Sequence, residues 1–485
     1  MGANVEALSA ELFDNEIVGF SIDSRTTGVG ELFFALSQED YARAGFNGTF
    51  ADAHRFIPQA FRSGAIAAVA RRDRVQHDAE LQGTRGQLLL VEDAIAALQQ
   101  LARKVYEAWA RPVIGITGSA GKTTAKEFTA HILKASGRRV LKSERNYNNG
   151  LGLPLAVLQM VTEGRTPDEF DIAVLEMGMS SPTHEIERLC KITPPDVGVE
   201  LLVAPVHLEH LGTIENIAAA KAELIEGLKP GGTAVLNADD TLVIAMRSKH
   251  DGPTITFGIE NAADVMATNI DTRRFGRSRF RLITPLGEAD ADLPMPGRHN
   301  LMNALAASAV ATCLEIRPEE IASALKSVTP AKMRGEVIDF AAGFTLVDDS
   351  YNSNPRSLLS MVQTIAEGGA HARRRIVVAG EMLELGDEEV QMHREAGAEI
   401  ARAGIDVLWG VRGLGFELVE GARGAGMRND ATRFFENSEQ AAAALIKEVK
   451  EGDLVLIKGS RGVQTDKVVE ALRTHFPALG ADERD

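Results

Sequence analysis

The stretch Val113-Ile-Gly-Ile-Thr-Gly-Ser-Ala-Gly-Lys-Thr-Thr124 decides the fold of the chain's middle. An apolar run with the look of a buried strand opens into a Gly-rich turn that delivers Lys122 and Thr123 to the start of a helix. Gly118 and Gly121 let backbone N–H groups face an anion with no Cβ in the way. Lys122 supplies a point charge for the outer phosphates, and the Thr123 hydroxyl can ligate Mg²⁺. ATP or GTP is therefore the expected ligand, with Thr124 completing the loop. The stricter pattern wants a glycine where this chain has Ile116. The helix that follows carries Phe128, Ile132 and Leu133 at helical spacing and stops at Gly137.

Working outward, strands expected at 113–117, 171–176, 197–203 and 233–236 alternate with helices near 124–136, 183–189 and 214–228, the βαβ rhythm of a parallel sheet. Residues 257–285 switch to short alternating strands, an antiparallel appendage or sheet edge, before a helix at 301–313. Upstream lies a small mixed unit with strands expected at 32–36, 65–70 and 88–91. Asp93 caps its helix, which runs to about Ala110 with Ile95, Leu98, Leu101, Val105 and Trp109 on one apolar face before Pro112 stops it. Downstream, strands at 344–348, 376–380, 406–409 and 453–457 and helices near 355–367, 389–403 and 438–449 repeat the rhythm. The expected fold class is α/β in three domains. These are a small mixed N-terminal domain (1–110), a central P-loop domain with a doubly wound parallel sheet (111–328) and a Rossmann-like C-terminal domain (329–485).

A length of 485 residues suits two to four such cores, and 45% hydrophobic with 25% charged residues is globular composition. The net charge of −16, with no long basic stretch, argues against nucleic-acid binding. Cys190 and Cys313 stand far apart in apolar surroundings, as free thiols of a reducing compartment do. The N-terminal residues lack an export pattern and no run reaches 18 apolar residues, so the expectation is a cytoplasmic protein with no membrane insertion.

Ligands of open α/β sheets sit beyond the carboxyl ends of strands, so the residues that close each strand are the candidates. Glu176 closes 171–176 and is placed to hold Mg²⁺ directly or through water; the plainer alternative is a helix N-terminal charge. Pro205-Val-His-Leu-Glu-His-Leu-Gly212 offers His207, Glu209 and His210. This is no zinc pattern, and one histidine aiding magnesium or manganese suits it better. Lys221, taken alone, reads as a surface helix lysine. Asn146-Tyr-Asn-Asn149 gathers Asn146, Asn148 and Asn149, amides that donate and accept and so suit peptide or sugar groups. Pro296-Gly-Arg-His-Asn300 precedes Asn303 on a helix. Asp348-Asp-Ser-Tyr-Asn-Ser-Asn-Pro355 offers Asp349, Tyr351 and Asn352 to a ribose and base, and Lys458-Gly-Ser-Arg461 offers two cations to a phosphate or carboxylate.

Together these motifs resemble the Mur ligase family over nearly the entire chain. The resemblance implies ATP-dependent ligation of D-alanyl-D-alanine to UDP-N-acetylmuramoyl-tripeptide through an acyl phosphate, giving the pentapeptide precursor of peptidoglycan, by an enzyme expected to be a monomer. It also implies roles. Gly118, Gly121, Lys122, Thr123, Thr124, Asn300, Asn303, Arg334, Asp349, Tyr351 and Asn352 would face ATP. Thr123, Glu176, His207 and Lys221 would hold Mg²⁺, with Lys221 carbamylated by CO₂, and Lys122, Lys221, His207 and Lys458 would be catalytic. Asp23, Ser24 and Arg25 would take the uridine-nucleotide end. Asn146, Asn148, Asn149, Lys458 and Arg461 would bind the other substrate groups. The chain departs from the family pattern at Gln38 to Ala53, ahead of His54, and at Glu381, where Asp is common. The alternatives are a Mur-type ligase or folylpolyglutamate synthase relative that adds a single amino acid, and a scaffold that binds ATP without turnover.

Overall fold

The computed structural model describes residues 16–46, 48–144, 147–179, 184–205, 211–273, 275–329 and 332–479. Its backbone is organised by three sheets. The first joins β1 (Gly19–Ser21), β2 (Glu31–Phe34), β3 (Ala67–Arg71) and β4 (Leu88–Val91) in that order, all parallel. Strands buried on both faces read as continuous apolar runs, as Leu88–Val91 does. Helix α1 (Ala94–Trp109) follows, with the Asp93 side chain accepting from Ala96 N–H at its start. It ends, as expected, at Ala110, which turns the chain in the left-handed region at φ 51° ahead of Pro112.

The second sheet holds β5 (Val113–Thr117), β6 (Val140–Lys142), β7 (Ile172–Glu176), β8 (Val197–Glu200), β9 (Thr233–Asn237), β10 (Thr254–Gly258), β11 (Val265–Asp271), β12 (Ser278–Thr284) and β13 (Gly287–Leu293). Its order is β13-β12-β11-β10-β9-β8-β5-β7-β6. All pairings are parallel except those of β12 with β11 and β13, so the expected antiparallel appendage is the sheet's edge. Helices α2 (Lys122–Ala135) and α6 (Arg298–Cys313) cover one face, where Ile114, Ile116, Val199, Phe128 and Leu305 share a core. The other face carries α3 (Gly152–Leu158), α4 (Glu185–Ile192) and α5 (Ile214–Glu226). Its core runs unbroken into the N-terminal sheet and α1.

The third sheet holds β14 (Glu336–Asp339), β15 (Thr345–Asp349), β16 (Arg374–Gly380), β17 (Val407–Val411), β18 (Thr432–Phe435) and β19 (Asp453–Lys458) in the order β14-β15-β19-β16-β17-β18, with β14 alone antiparallel. Helix α7 (Pro355–Gly368) starts with a reciprocal cap between Asn354 and Ser357. Two boundaries differ from expectation and matter for the site. Strand β8 stops at Glu200 rather than at 203, and α2 begins at Lys122 rather than at 124. Among the described residues, no helix is long and apolar enough to cross a membrane.

Candidate active site

The site is built where β5, β7 and β8 end. Gly121 caps α2 at φ 86°, and a Cβ there would stand 2.4 Å from Asn303 Oδ1 of α6. Gly118 lies at φ 149°, its would-be Cβ 2.9 Å from Leu201 Cβ. Both the conformation and the space exclude a side chain, so the loop's amides stay open at the helix start. Lys122 Nζ donates to Gly118 O at 2.8 Å, which folds the ammonium over the loop mouth. Burial pushes its pKa down, and the charges of Glu176 and Glu200 oppose that shift.

Thr123 Oγ1 donates to Glu176 Oε2 at 2.9 Å, and Asn148 Nδ2 donates to Glu176 Oε1 at 2.9 Å. Glu176 is buried, its own N–H held by Ser143 Oγ at 3.1 Å. The amide-rich loop is clasped in turn: Gly178 N–H donates to Asn148 O at 2.7 Å, and Gln99 Nε2 of α1 donates to Gly150 O at 2.9 Å. Asn149 serves as a local brace, its Oδ1 accepting from Gly152 N–H at the start of α3. Asn146 and His207 lie outside the described residues.

Lys221 is not a surface lysine. It is 2% exposed on α5, and burial pushes its pKa down to about 7 despite the opposing charge of Glu200. Glu200, which the sequence reading passed over, closes β8 at 0% exposure and is pushed up to about 8 by the same desolvation. Both its carboxyl oxygens, like Thr117 Oγ1, lack a hydrogen-bond partner among the described residues.

The C-terminal domain presents its strand ends to the same region. Buried Lys458 Nζ donates to Asp349 and, at 3.0 Å, to Asn352 O; Asp349 and Lys458 are register partners across β15 and β19. The guanidinium of Arg334 stands 4.1 Å from the Tyr351 ring centroid, with Arg461 at 5.4 Å. Arg334 is also near enough to Lys122 to help lower its pKa. His299 of α6 contacts Ser360 of α7, and burial pushes its pKa down to about 4 while Asp349 opposes. Arg356 Nη1 donates to Val203 O at 3.0 Å across the same junction. Asn300 is buried and donates to Pro296 O, bracing the start of its own helix.

Thr124 is buried in the first turn of α2. Asp23, Ser24 and Arg25 form a turn of the N-terminal domain. Arg25 pairs with Asp23 at 2.6 Å, and Ser24 Oγ donates beyond the turn to Gln59 Oε1. In the atypical segment, buried Asp40 accepts from Arg71 at 2.9 Å and from Ala94 N–H at 3.1 Å, so that carboxylate is spent on the fold. Among the described residues no cluster of three or more His, Cys, Asp or Glu side chains forms. The hydroxyl of Thr123 and the carboxylate of Glu176 are nonetheless adjacent hard oxygen donors beside a phosphate loop, the set Mg²⁺ accepts when phosphates and water complete its shell.

The phosphate loop between two converging α/β domains defines a nucleotide-dependent ligase, and the chain belongs to the Mur ligase family. Residues 116–311 match the Mur ligase middle domain, and residues 333–461 the Mur ligase glutamate ligase domain. The chain is 34% identical over 457 residues to the UDP-N-acetylmuramoyl-tripeptide–D-alanyl-D-alanine ligase of Bacillus subtilis, covering 94% of this chain and 93% of that one. Two solved structures superpose along nearly the whole chain. MurF from Acinetobacter baumannii does so at a TM-score of 0.81 with 29% identity, covering 94% of each chain. MurF ligase from Thermotoga maritima in complex with ADP does so at 0.78 with 29% identity, covering 95% of this chain and 98% of that one.

Proposed function

We propose that this cytoplasmic chain joins D-alanyl-D-alanine to UDP-N-acetylmuramoyl-tripeptide at the expense of ATP. The observation that carries the reading is Glu176 gripped from one side by Thr123 of the phosphate loop and from the other by Asn148 of the amide loop. Gln99 of the N-terminal domain holds that second loop, so the phosphate end of ATP and the acceptor peptide are brought to one crevice. The N-terminal domain takes the UDP-sugar end through Asp23, Ser24 and Arg25. The central domain holds ATP, and the C-terminal domain closes over both with Arg461 and the loop pinned by Lys458.

The terminal carboxylate oxygen of the tripeptide attacks the γ-phosphorus, forming an acyl phosphate and releasing ADP. The dipeptide's amine then attacks the acyl carbon; the C–N bond forms as the C–O bond to phosphate breaks. Lys122 neutralises charge growing on the transferring oxygens, the kind of preorganised stabilisation that contributes most to such steps. Mg²⁺, when bound, supplies further charge neutralisation on the phosphates, and Thr123, Glu176, His207 and a carbamylated Lys221 are the residues that would hold it. Arg356 on Val203 and Ser360 on His299 join the two larger domains beside the reacting groups and exclude water from an intermediate that hydrolysis would destroy.

Carbamylation is supported by the setting of Lys221: a carbamate forms from the neutral amine, and burial that lowers the lysine's pKa to about 7 raises the share of that form. The reading is tested by ADP release from purified chain. Release that requires both the UDP-tripeptide and D-alanyl-D-alanine supports it; release indifferent to the dipeptide overturns it.

A further inference from the structure

Two glycines fix what faces Lys221. Gly115 of β5 and Gly198 of β8 are register partners, and a Cβ on either would meet Leu224 of α5, at 2.9 and 3.4 Å. Two residues further along each strand, on the same face, stand Thr117 and Glu200, again register partners. Helix α5 runs back against these strands, so one turn before Leu224, on the same side of the helix, stands Lys221. The next pair of strand side chains and the next turn of helix therefore oppose each other. All three residues are at most 2% exposed, yet among the described residues the Thr117 hydroxyl and both Glu200 oxygens are without hydrogen-bond partners. Buried polar groups are ordinarily paired, and here two unpaired ones flank an amine they do not touch.

We propose that Thr117 and Glu200 are positioning residues for the carbon dioxide adduct of Lys221, donating hydrogen bonds from the hydroxyl and the carboxyl group to its two oxygens. The inference rests on the carbamylation reading above. In the step itself the Lys221 Nζ lone pair attacks the carbon of CO₂, the N–C bond forms, and one C=O pair moves to its oxygen. The N–H proton leaves to water, and the protonated Glu200 carboxyl group donates its own hydrogen to the carbamate. The carbamate brings one negative charge into the pocket, and the two donated hydrogen bonds are what hold it there. The adduct occupies the space between the three side chains and gives each unpaired group a partner.

The experiment is ¹³C NMR of the full-length protein equilibrated with ¹³C-bicarbonate, with thermal unfolding of each variant as a check of the fold. Wild type shows a carbamate carbon signal that Lys221→Arg lacks. Thr117→Val and Glu200→Leu, both apolar replacements of similar size, lower its occupancy at a given bicarbonate concentration by about tenfold, the loss expected for a hydrogen bond to a charged group. Thr117→Ser and Glu200→Gln, which keep a donor, retain it. Full occupancy in both apolar variants overturns the positioning roles and leaves carbamylation standing. Absence of the signal from wild type overturns carbamylation itself, and the positioning roles with it. Should Glu200→Leu fail to fold, the contrast between Thr117→Val and Thr117→Ser decides.

Discussion

Thr123 and Glu176 are joined by a 2.9 Å hydrogen bond that ties the first turn of α2 to the end of β7. A hydroxyl and a carboxylate so placed are a half-built cation site beside a phosphate loop. Glu176→Gln keeps the shape and removes the charge. The expected result is a magnesium titration of ADP release shifted to about tenfold higher concentration, with a smaller loss at saturating metal. An unchanged titration curve would remove Glu176 from the metal's surroundings.

Gly121 and Asn303 make a second test of the nucleotide site. Gly121→Ala must hold a side chain at φ 86° and push Asn303 Oδ1 from a distance of 2.4 Å. Strain of this kind costs on the order of 1–3 kcal/mol, all of it at the loop that cradles phosphate. Nucleotide binding by calorimetry should weaken by roughly tenfold or more while the circular dichroism spectrum stays that of wild type. Wild-type affinity would show that α2 and α6 can separate at no cost.

If Lys221 carries the proposed carbamate, Lys221→Ala should be folded and nearly inactive, because its loss leaves the metal site one anion short. Short carboxylic acids fit the space it vacates. Millimolar formate or acetate should restore part of the mutant's turnover and give wild type no comparable gain. Full ligation by the mutant in bicarbonate-free buffer would return Lys221 to a purely structural role.

The phosphate loop was legible because strand, glycines, lysine and hydroxyl are consecutive, and local order is what periodicity reads. The buried charges around it were not. Glu200 sits inside the apolar run Val197–Val203, so the pattern reads as one strand passing through it. The strand in fact ends there, and its closing side chain turns toward α5. Lys221 is flanked by Ala218, Ala219, Ala220 and Ala222, small side chains that do not mark which face of the helix is buried. The partnership of Arg334 with Tyr351 joins the residues flanking the antiparallel pair β14 and β15 and depends on their register, which no short window contains. Strands β1, β6, β14 and β18 span only three or four residues, too few for an alternation to register.

Glu200 carries a pH signature in the metal-free, CO₂-free protein. Its folded pKa is raised to about 8 from an ordinary value of 4.5, so between those values the folded state holds a proton that the unfolded state has lost. Its contribution is therefore complete below pH 4.5 and fades as pH rises toward and through 8. Lys221, lowered from 10.5 to about 7, acts oppositely and stabilises increasingly from 7 to 10.5. Glu200→Gln removes the first effect and, by taking away the charge that holds the Lys221 pKa up, lets the second begin at lower pH, which acts in the same direction. The difference in unfolding temperature, variant minus wild type, should thus grow more positive from pH 5 to pH 8; a difference flat across that range would place Glu200 in contact with solvent.

The central claim is the identity of the group transferred, and product mass reads it directly. Purified chain supplied with ATP, Mg²⁺ and UDP-N-acetylmuramoyl-tripeptide is offered D-alanyl-D-alanine, single D- and L-amino acids, and glutamate, and the products are weighed by mass spectrometry. The account predicts one new UDP-linked product, heavier than the acceptor by one D-alanyl-D-alanine less water, formed in step with ADP. A product heavier by a single amino acid, or ATP bound with no product from any of these, would contradict it.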